Sequence, residues 1–351
     1  MVELWFAVLC LMITLFVIMA GWDIGAGALH FIVAKDQGER RELIAAIGPL
    51  WTWNEVWLVA TGAVLLAAFP RVLAISFPAY YLALFPVLWT LLLRGLSLEF
   101  RGHIPSPMWR AFWDFVLVVA NVLLAILFGA AIGNLIRGIP LKPDTPLSLP
   151  LFTDFGVRGM PGILDWYTSL MAIFTLACLC AHGASYLALK ANGEVHRRAR
   201  VLTKWLWPAT VFLLLVVSLA TSDVRPELFA GMAARPAAWI GLVLVGGGLA
   251  VIFTAWRSGA EQRMFLGGCV LIAGLLGTAA ASLFPVILYS TVSPEYSITA
   301  YNGSSDANSL RAAIYWWPVA FALAIAYFGF VGKHYRGRVR HSLDANDTRP
   351  Y

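Results

Sequence analysis

The chain has 351 residues, of which 60% are hydrophobic and only 13% are charged, and its mean hydropathy is +0.77. These values are typical of membrane-embedded proteins and exclude an ordinary soluble domain. The net charge of +6 does not indicate nucleic-acid binding, because Lys and Arg are spread over the ends of the apolar segments, as membrane topology requires.

Long apolar segments predict an all-α integral membrane protein, since they exceed the roughly ten residues of a membrane barrel strand. The first segment runs from Leu4 to Val33 and follows Glu3. It is too long for the apolar core of a signal peptide, so we interpret it as a span. Nine transmembrane helices are predicted, with the approximate ranges 3–33, 50–69, 73–100, 109–137, 161–190, 203–222, 237–256, 262–291 and 310–333.

The order of these spans suits a single membrane domain built from two similar helical bundles. A short helix at the membrane surface is expected between Asp36 and Pro49, just before the second span. The predicted parts are a first bundle at 1–137, an external loop at 138–160, a second bundle at 161–291, a last helix at 310–333 and a tail at 334–351.

The distribution of basic residues predicts the orientation. With nine spans, 18 of the 25 Lys and Arg residues fall on the side that contains the C-terminus. Because Lys and Arg accumulate on the cytoplasmic side of membrane proteins, the N-terminus is predicted outside and the C-terminus in the cytoplasm.

Asp23 is the first candidate functional residue, because it lies inside an apolar segment. A charged side chain at bilayer depth costs about 2.5 to 3.5 kcal/mol on insertion scales, so it needs a partner, a polar cavity or a function. Gly21 and Gly25 flank it and would let another helix approach closely. Asp23, Gly27 and His30 share one helical stripe, which suggests a proton entry route. The alternative is an acid held neutral or paired in a helix interface.

The second span begins with a further polar group. Trp51, Asn54 and Glu55 share one face, and Thr52 lies about one turn from Glu55. A protonatable group beside an amide and a hydroxyl resembles one station of a proton relay. A helix-start acid satisfied by local donors explains the same residues without a relay.

Buried or membrane-edge cations are the expected partners of these acids. Arg94 lies within reach of both Asp23 and Glu55, and the sequence does not say which acid it pairs with. Arg101 is expected to anchor the membrane edge. Arg110 and Asp114 are spaced i, i+4 and are expected to neutralise each other.

Histidine and cysteine provide no obvious cofactor site. Only His182 lies well inside a span, and a hydrogen bond between helices is the preferred interpretation for it. The four cysteines fall inside apolar segments without metal-ligand spacing, so they are expected to be small core residues. We therefore expect no metal or haem ligated by this chain. Asn121 and Asn134 are expected to hydrogen-bond between helices.

A series of motifs extends through nearly the whole chain. The motifs are GWDIGAG at 21–27, ERR at 39–41, IGP at 47–49, Trp51, NEVWL at 54–58 with Trp57, AAFP at 67–70, EFR at 99–101, Trp109-Arg110 with Trp113-Asp114, HGA at 182–184, Phe284-Pro285 and SIT at 297–299. In this order they resemble subunit II of the cytochrome bd-type quinol oxidases.

The resemblance implies a heterodimer with a subunit I that carries two b-type haems, one d-type haem and the quinol site. Such a complex oxidises quinol and reduces dioxygen to water, with proton uptake from the cytoplasm, in the bacterial cytoplasmic membrane. It also implies two four-helix bundles plus one peripheral helix for this chain. Some members of the family hold a structural quinone or a small accessory subunit, and the acid matching Asp23 contributes to their proton path.

One motif departs from the family pattern. Members usually carry Trp-Asp, a small residue and then Asn, whereas here Trp51 is followed by Thr52 and Trp53. We hypothesise that Glu55 replaces the missing acid or that the proton route differs. A divergent member with an altered partner and an independent ion or solute transporter are the alternatives.

Overall fold

The computed structural model describes residues 1–142, 147–335 and 337–339, and in these ranges the chain is mostly helical. Of the predicted tail at 334–351, residues 336 and 340–351 lie outside this description, as do residues 143–146 of the predicted external loop. The elements in chain order are α1 (Val2–Ala28), α2 (His30–Val33), α3 (Gln37–Ile47), α4 (Trp51–Ala68), α5 (Pro70–Ala79), α6 (Tyr81–Phe100), α7 (Pro107–Arg137), α8 (Trp166–Lys190), α9 (Gly193–Val224), α10 (Glu227–Ala234), α11 (Pro236–Ser258), α12 (Glu261–Leu283), β1 (Val286–Leu288), β2 (Ile298–Thr299), α13 (Ala300–Gly303) and α14 (Ala307–His334).

Eight helices of the described residues are long and apolar enough to cross a membrane, namely α1, α6, α7, α8, α9, α11, α12 and α14. Helices α3 and α4 meet at a bend of 41° and make a ninth span if they count as one. The predicted helix before the second span is present as α3, which begins with a capping box between Asp36 and Glu39. The all-α membrane fold is confirmed, while the count of nine and the orientation stay predictions.

Several predicted spans have different limits in the structure: the span 3–33 is divided between α1 and α2, and α9 begins at Gly193, ten residues before the predicted start. Two further differences occur near prolines. The span 73–100 is broken at Tyr80, between α5 and α6, and Pro78 and Pro86 lie on either side of the break. Each proline removes a backbone donor from the helix. The span 262–291 is also too long, because α12 ends at Leu283. Pro285 follows, and the chain then forms β1, which pairs antiparallel with β2.

Helix α1 lies at the centre of the fold and packs against α4, α7, α8 and α12. The approach to α8 is closest at glycine: a Cβ added to Gly25 would overlap the carbonyl of Leu179, and one added to Gly183 would overlap the backbone of α1. The predicted small-residue contact at Gly25 is thus confirmed. Since α1 and α7 both pack on α8, the two proposed bundles share a broad interface, and their division at 138–160 stays a prediction.

Helix α14 is peripheral. Only 6% of its most apolar stretch is buried, and it packs along α4, where Tyr327 stacks on Trp53 with ring centroids 3.9 Å apart. Asp306 caps its first turn, and hydrogen bonds from the hydroxyl and amide of Ser309 lower the pKa of Asp306 below its ordinary value.

A buried ionic group at the α2–α3 end of the molecule ties four segments together. It consists of His30, Gln37, Arg40, Arg101 and Asp114, and is called the Asp114 cluster below. The carboxylate of Asp114 is fully buried and accepts hydrogen bonds from Arg101 Nε at 2.5 Å and Arg40 Nη1 at 3.2 Å, while His30 Nε2 lies 3.0 Å away. Arg101 also donates to Gln37 Oε1 at 2.9 Å.

Two expectations about these residues are wrong. Among the described residues, Asp114 pairs with His30, Arg40 and Arg101 and not with Arg110. Arg101 is not a membrane-edge anchor, because it is only 6% exposed. The i, i+4 pairing within a helix contributes only a few tenths of a kcal/mol. Asp114 instead lies on the packed face of α7, where Arg101, at the C-terminal end of α6, contacts it.

We predict that Gly25→Ala lowers the thermal stability of the purified protein, although alanine favours a helix over glycine by about 1 kcal/mol. The added methyl group must push α1 away from α8. Thermal unfolding in detergent measures the effect. Gly62→Ala is the control, because an added Cβ there meets open space. Equal melting temperatures for the two variants would show that the close approach is not needed.

We predict that Arg101→Ala destabilises the protein much more than Arg110→Ala. Removing one partner of a buried ion pair costs roughly 3–5 kcal/mol, and we expect the lower end because Arg40 still faces Asp114. The measurement is the denaturant or temperature midpoint of each variant. A larger destabilisation by Arg110→Ala than by Arg101→Ala would contradict this prediction and favour the i, i+4 pairing of Asp114 with Arg110.

Candidate functional site

A second buried ionic group lies where α1, α4, α6 and α7 meet. Its centre is Arg94, which is 1% exposed. The guanidinium contacts three side chains: Nη2 is 2.8 Å from Asp23 Oδ1, Nη1 is 2.5 Å from Glu55 Oε1, and Nε donates to Asn121 Oδ1 at 3.0 Å. Together with Asn54, these residues form what we call the Arg94 cluster.

The two acids of the Arg94 cluster have different surroundings. Asp23 has no exposed surface, and its second oxygen accepts a hydrogen bond from Asn54 Nδ2 at 2.7 Å. The side chain of Glu55 is 23% exposed. Two carboxyl groups therefore share one guanidinium, and Glu55 is the one that reaches the protein surface.

The local sequence explains how each helix contributes a residue to the Arg94 cluster. Asp23 lies between Gly21 and Gly25, the small residues that let α1 lie close to α8. Glu55 lies in the second turn of α4, just after the bend. Arg94 is held beneath Trp51, whose ring lies 5.8 Å from the guanidinium carbon. This packing needs Gly95, since a Cβ there would come within 2.8 Å of the Trp51 ring.

The structure answers the open question about Arg94: it pairs with both Asp23 and Glu55. The predicted stripe on α1, in contrast, is divided between two clusters. Gly27 packs against Asn121 of the Arg94 cluster, whereas His30 contacts Asp114.

Two further predicted site residues, Thr52 and Trp57, lie outside the Arg94 cluster. Thr52 is exposed and lies about 200° around the helix from Asn54. Trp57 is buried against α14, with its ring 5.1 Å from that of Phe328. Trp57 therefore supports the packing of α14 on α4.

Three residues of the clusters were not predicted as site residues. Asn121 was expected only to hydrogen-bond between helices, which it does, and Gln37 and Arg40 were not singled out. Asn121 lies two helical turns from Asp114 on the buried face of α7. That spacing is the signal that could have placed it on the line joining both clusters.

Potential cofactor ligands are sparse in the described residues, which contain no group of three or more His, Cys, Asp or Glu that could hold a metal ion. His182 lies with Nε2 at 3.3 Å from the carbonyl oxygen of Ile18 and stacks on Phe265. The predicted interhelical contact of His182 is confirmed.

An apolar cavity of about 470 Å³ lies between α1 and α7 to α12. The hydroxyl groups of Ser218, Thr221 and Thr278 on its wall each donate to a carbonyl of their own helix. The lining therefore suits a hydrocarbon chain and offers few groups to orient a polar head.

Similarity to known proteins agrees with this architecture. The chain is 29% identical over 376 residues to the probable cytochrome oxidase subunit 2 of Haemophilus influenzae, with 97% of each chain covered. It is 28% identical over 311 residues to the cytochrome bd ubiquinol oxidase subunit 2 of Bacillus subtilis, with 88% of each covered. It is 25% identical over 378 residues to the cytochrome bd-I ubiquinol oxidase subunit 2 of Escherichia coli K12, with 97% of each covered.

A solved structure shares the fold. The bd oxidase from Geobacillus thermodenitrificans contains a chain that superimposes with a TM-score of 0.75 at 16% identity, covering 95% of this chain and 98% of that one. Residues 1–333 match the family of cytochrome bd terminal oxidase subunit II. The resemblance predicted from the motifs is confirmed: the chain belongs to this family and is a subunit of a quinol:oxygen oxidoreductase.

Proposed function

We propose that this chain supports the haem-bearing subunit I of a bd-type oxidase in the bacterial cytoplasmic membrane, and that its Arg94 cluster takes part in proton uptake. In this proposal the chain has nine spans, with its N-terminus outside and its C-terminus in the cytoplasm. The haems and the quinol site belong to subunit I. The observation that carries the proposal is the single guanidinium of Arg94 between the carboxyl groups of Asp23 and Glu55.

The charges of the Arg94 cluster favour reversible proton binding. One guanidinium balances one carboxylate, so a second carboxylate leaves an excess negative charge in an apolar environment, where such a charge is costly. A proton on either acid restores neutrality. Reduction of dioxygen to water consumes protons, and a site that can bind and release one proton suits their delivery.

The different exposure of the two acids suggests a direction of transfer. Glu55 is partly exposed and is the acid that exchanges protons with the surroundings, while Asp23 is fully buried. Transfer between the two acids needs water or a further polar group, because the guanidinium between them does not release a proton. Glu55 would then replace the acid that the family usually has at the position of Thr52. Asn54, which donates to Asp23, keeps that carboxylate oriented.

The Asp114 cluster is the proposed cytoplasmic edge of this route. His30 lies there with its Nε2 3.0 Å from Asp114, and a neutral imidazole has one nitrogen that donates and one that accepts. Along α7, Asp114 and Asn121 are about 10.5 Å apart by helical rise. The route between the two clusters therefore requires water or a further polar group.

We predict that Glu55→Gln lowers quinol-dependent oxygen consumption at least about tenfold at unchanged haem content, because the amide cannot carry the proton. Oxygen consumption by the purified complex is the measurement. Thr52→Val is the matched control on the same helix and should leave the rate unchanged, since Thr52 is exposed. Near-normal turnover of Glu55→Gln would contradict the role of Glu55.

We also predict that a larger membrane subunit co-purifies with this chain when the chain carries an affinity tag. The purified complex should show b- and d-type haem bands in its visible spectrum. Such a spectrum follows if this chain is assembled with subunit I and ligates no haem itself. A colourless protein without a partner would contradict the proposal and favour an independent transporter.

A further inference from the structure

Asn121 contacts the Arg94 guanidinium on the side of its Nε atom. Its Oδ1 accepts the hydrogen bond from Arg94 Nε at 3.0 Å, and the side chain is fully buried. The other two sides of the guanidinium face acids, Asp23 and Glu55. In the described residues, Asn121 is thus the one neutral side chain that accepts a hydrogen bond from the Arg94 guanidinium.

The amide of Asn121 has only one orientation that satisfies its neighbours. Its Nδ2 donates to the carbonyl oxygen of Leu117 at 2.7 Å, so its oxygen is the atom that faces Arg94. The side chain also packs against Gly27, where a Cβ would overlap the amide group. Gly27 on α1 therefore leaves room for the Asn121 side chain of α7, and the amide oxygen of Asn121 contacts Arg94 on α6.

Loss of this hydrogen bond would free the guanidinium to rotate. Arg94 could then turn both of its terminal nitrogens toward one acid, which an arginine binds well in a bidentate manner, and leave the other acid without a cation. The buried Nε would also lose its acceptor. The contact of Asn121 thus decides whether Arg94 bridges two carboxyl groups or pairs with one.

We propose that Asn121 is a positioning residue that keeps Arg94 between Asp23 and Glu55, and that Gly27 provides the space it needs. This inference rests on the proposed role of the Arg94 cluster in proton uptake. Asn121 itself carries no proton, but in this proposal it helps to set the proton affinity of the two carboxyl groups.

The ionisable groups around Asn121 come from three helices, with Asp23 on α1, Glu55 on α4 and Arg94 on α6. On α8, the hydroxyl of Tyr186 donates to a backbone carbonyl at 2.8 Å and remains neutral. A change in pH dependence caused by Asn121 therefore reports on the two carboxyl groups and their shared cation.

The test is Asn121→Ala in the complete oxidase complex. We expect turnover with quinol and oxygen to fall at least about tenfold. We also expect the alkaline limb of its pH profile to move to higher pH by roughly one unit, since a carboxyl group without its cation holds its proton more tightly. Asn134→Ala is the matched control: this buried asparagine on the same helix also accepts a hydrogen bond from an arginine, Arg137.

Gly27→Ala provides an independent variant that leaves the amide chemically intact. The added methyl group displaces Asn121, so the same fall in turnover and the same shift of the pH profile are expected, whereas Gly62→Ala should behave as the wild type. Haem content and co-purification of subunit I report on assembly in every variant.

The outcomes separate this inference from the function on which it rests. If Glu55→Gln loses turnover but Asn121→Ala keeps the wild-type rate and pH profile, only the positioning role is overturned. If Glu55→Gln keeps its turnover, the proton-uptake role of Glu55 fails instead. Loss of haem and subunit I in both Asn121→Ala and Gly27→Ala, with normal assembly of Asn134→Ala, would assign Asn121 to folding and overturn its positioning role.

Discussion

The guanidinium of Arg94 is the constraint on which the packing of the first helices depends. A charge inside an apolar helix assembly is tolerated only when its partners are close and correctly oriented. Those partners come from three other helices, and all lie within 3.0 Å of it. The positions of α1, α4 and α7 around α6 are therefore coupled, because a shift of any one helix would leave a buried charge or donor without its partner.

Small residues make this arrangement sterically accessible. Gly25 allows the backbone of α8 to approach α1, and Gly27 gives Asn121 its place on the other side of the same helix. Asp23 lies between helices that approach on both flanks, which explains its complete burial. A central helix with larger residues at these positions would keep its neighbours too far apart for the Arg94 cluster to close.

The sequence was sufficient to identify three charged residues inside apolar segments, Asp23, Glu55 and Arg94, but not how they pair. Asp23, Glu55 and Arg94 stand out because charged residues in apolar segments are rare, and depth along a helix follows directly from residue number. The pairing depends instead on the rotation of each helix relative to its neighbours, which short-range patterns do not determine. The same reason explains the failure at Asp114, where a weak local rule favoured Arg110 and tertiary packing supplied Arg101. Helix limits were least predictable where proline interrupts an apolar run, as in α5 and α6.

The two ionic clusters on α7 have opposite charge balance, and this contrast links the fold to the proposed chemistry. The Asp114 cluster has two arginines for one carboxylate, whereas the Arg94 cluster has one arginine for two carboxyl groups. The potential thus becomes more negative along α7 toward the Arg94 cluster, which favours the transfer of a proton in that direction. The excess positive charge of the first cluster disfavours the entry of any free cation at that end of the proposed route. The proposed proton uptake therefore depends on the difference in charge balance between two clusters that share one helix.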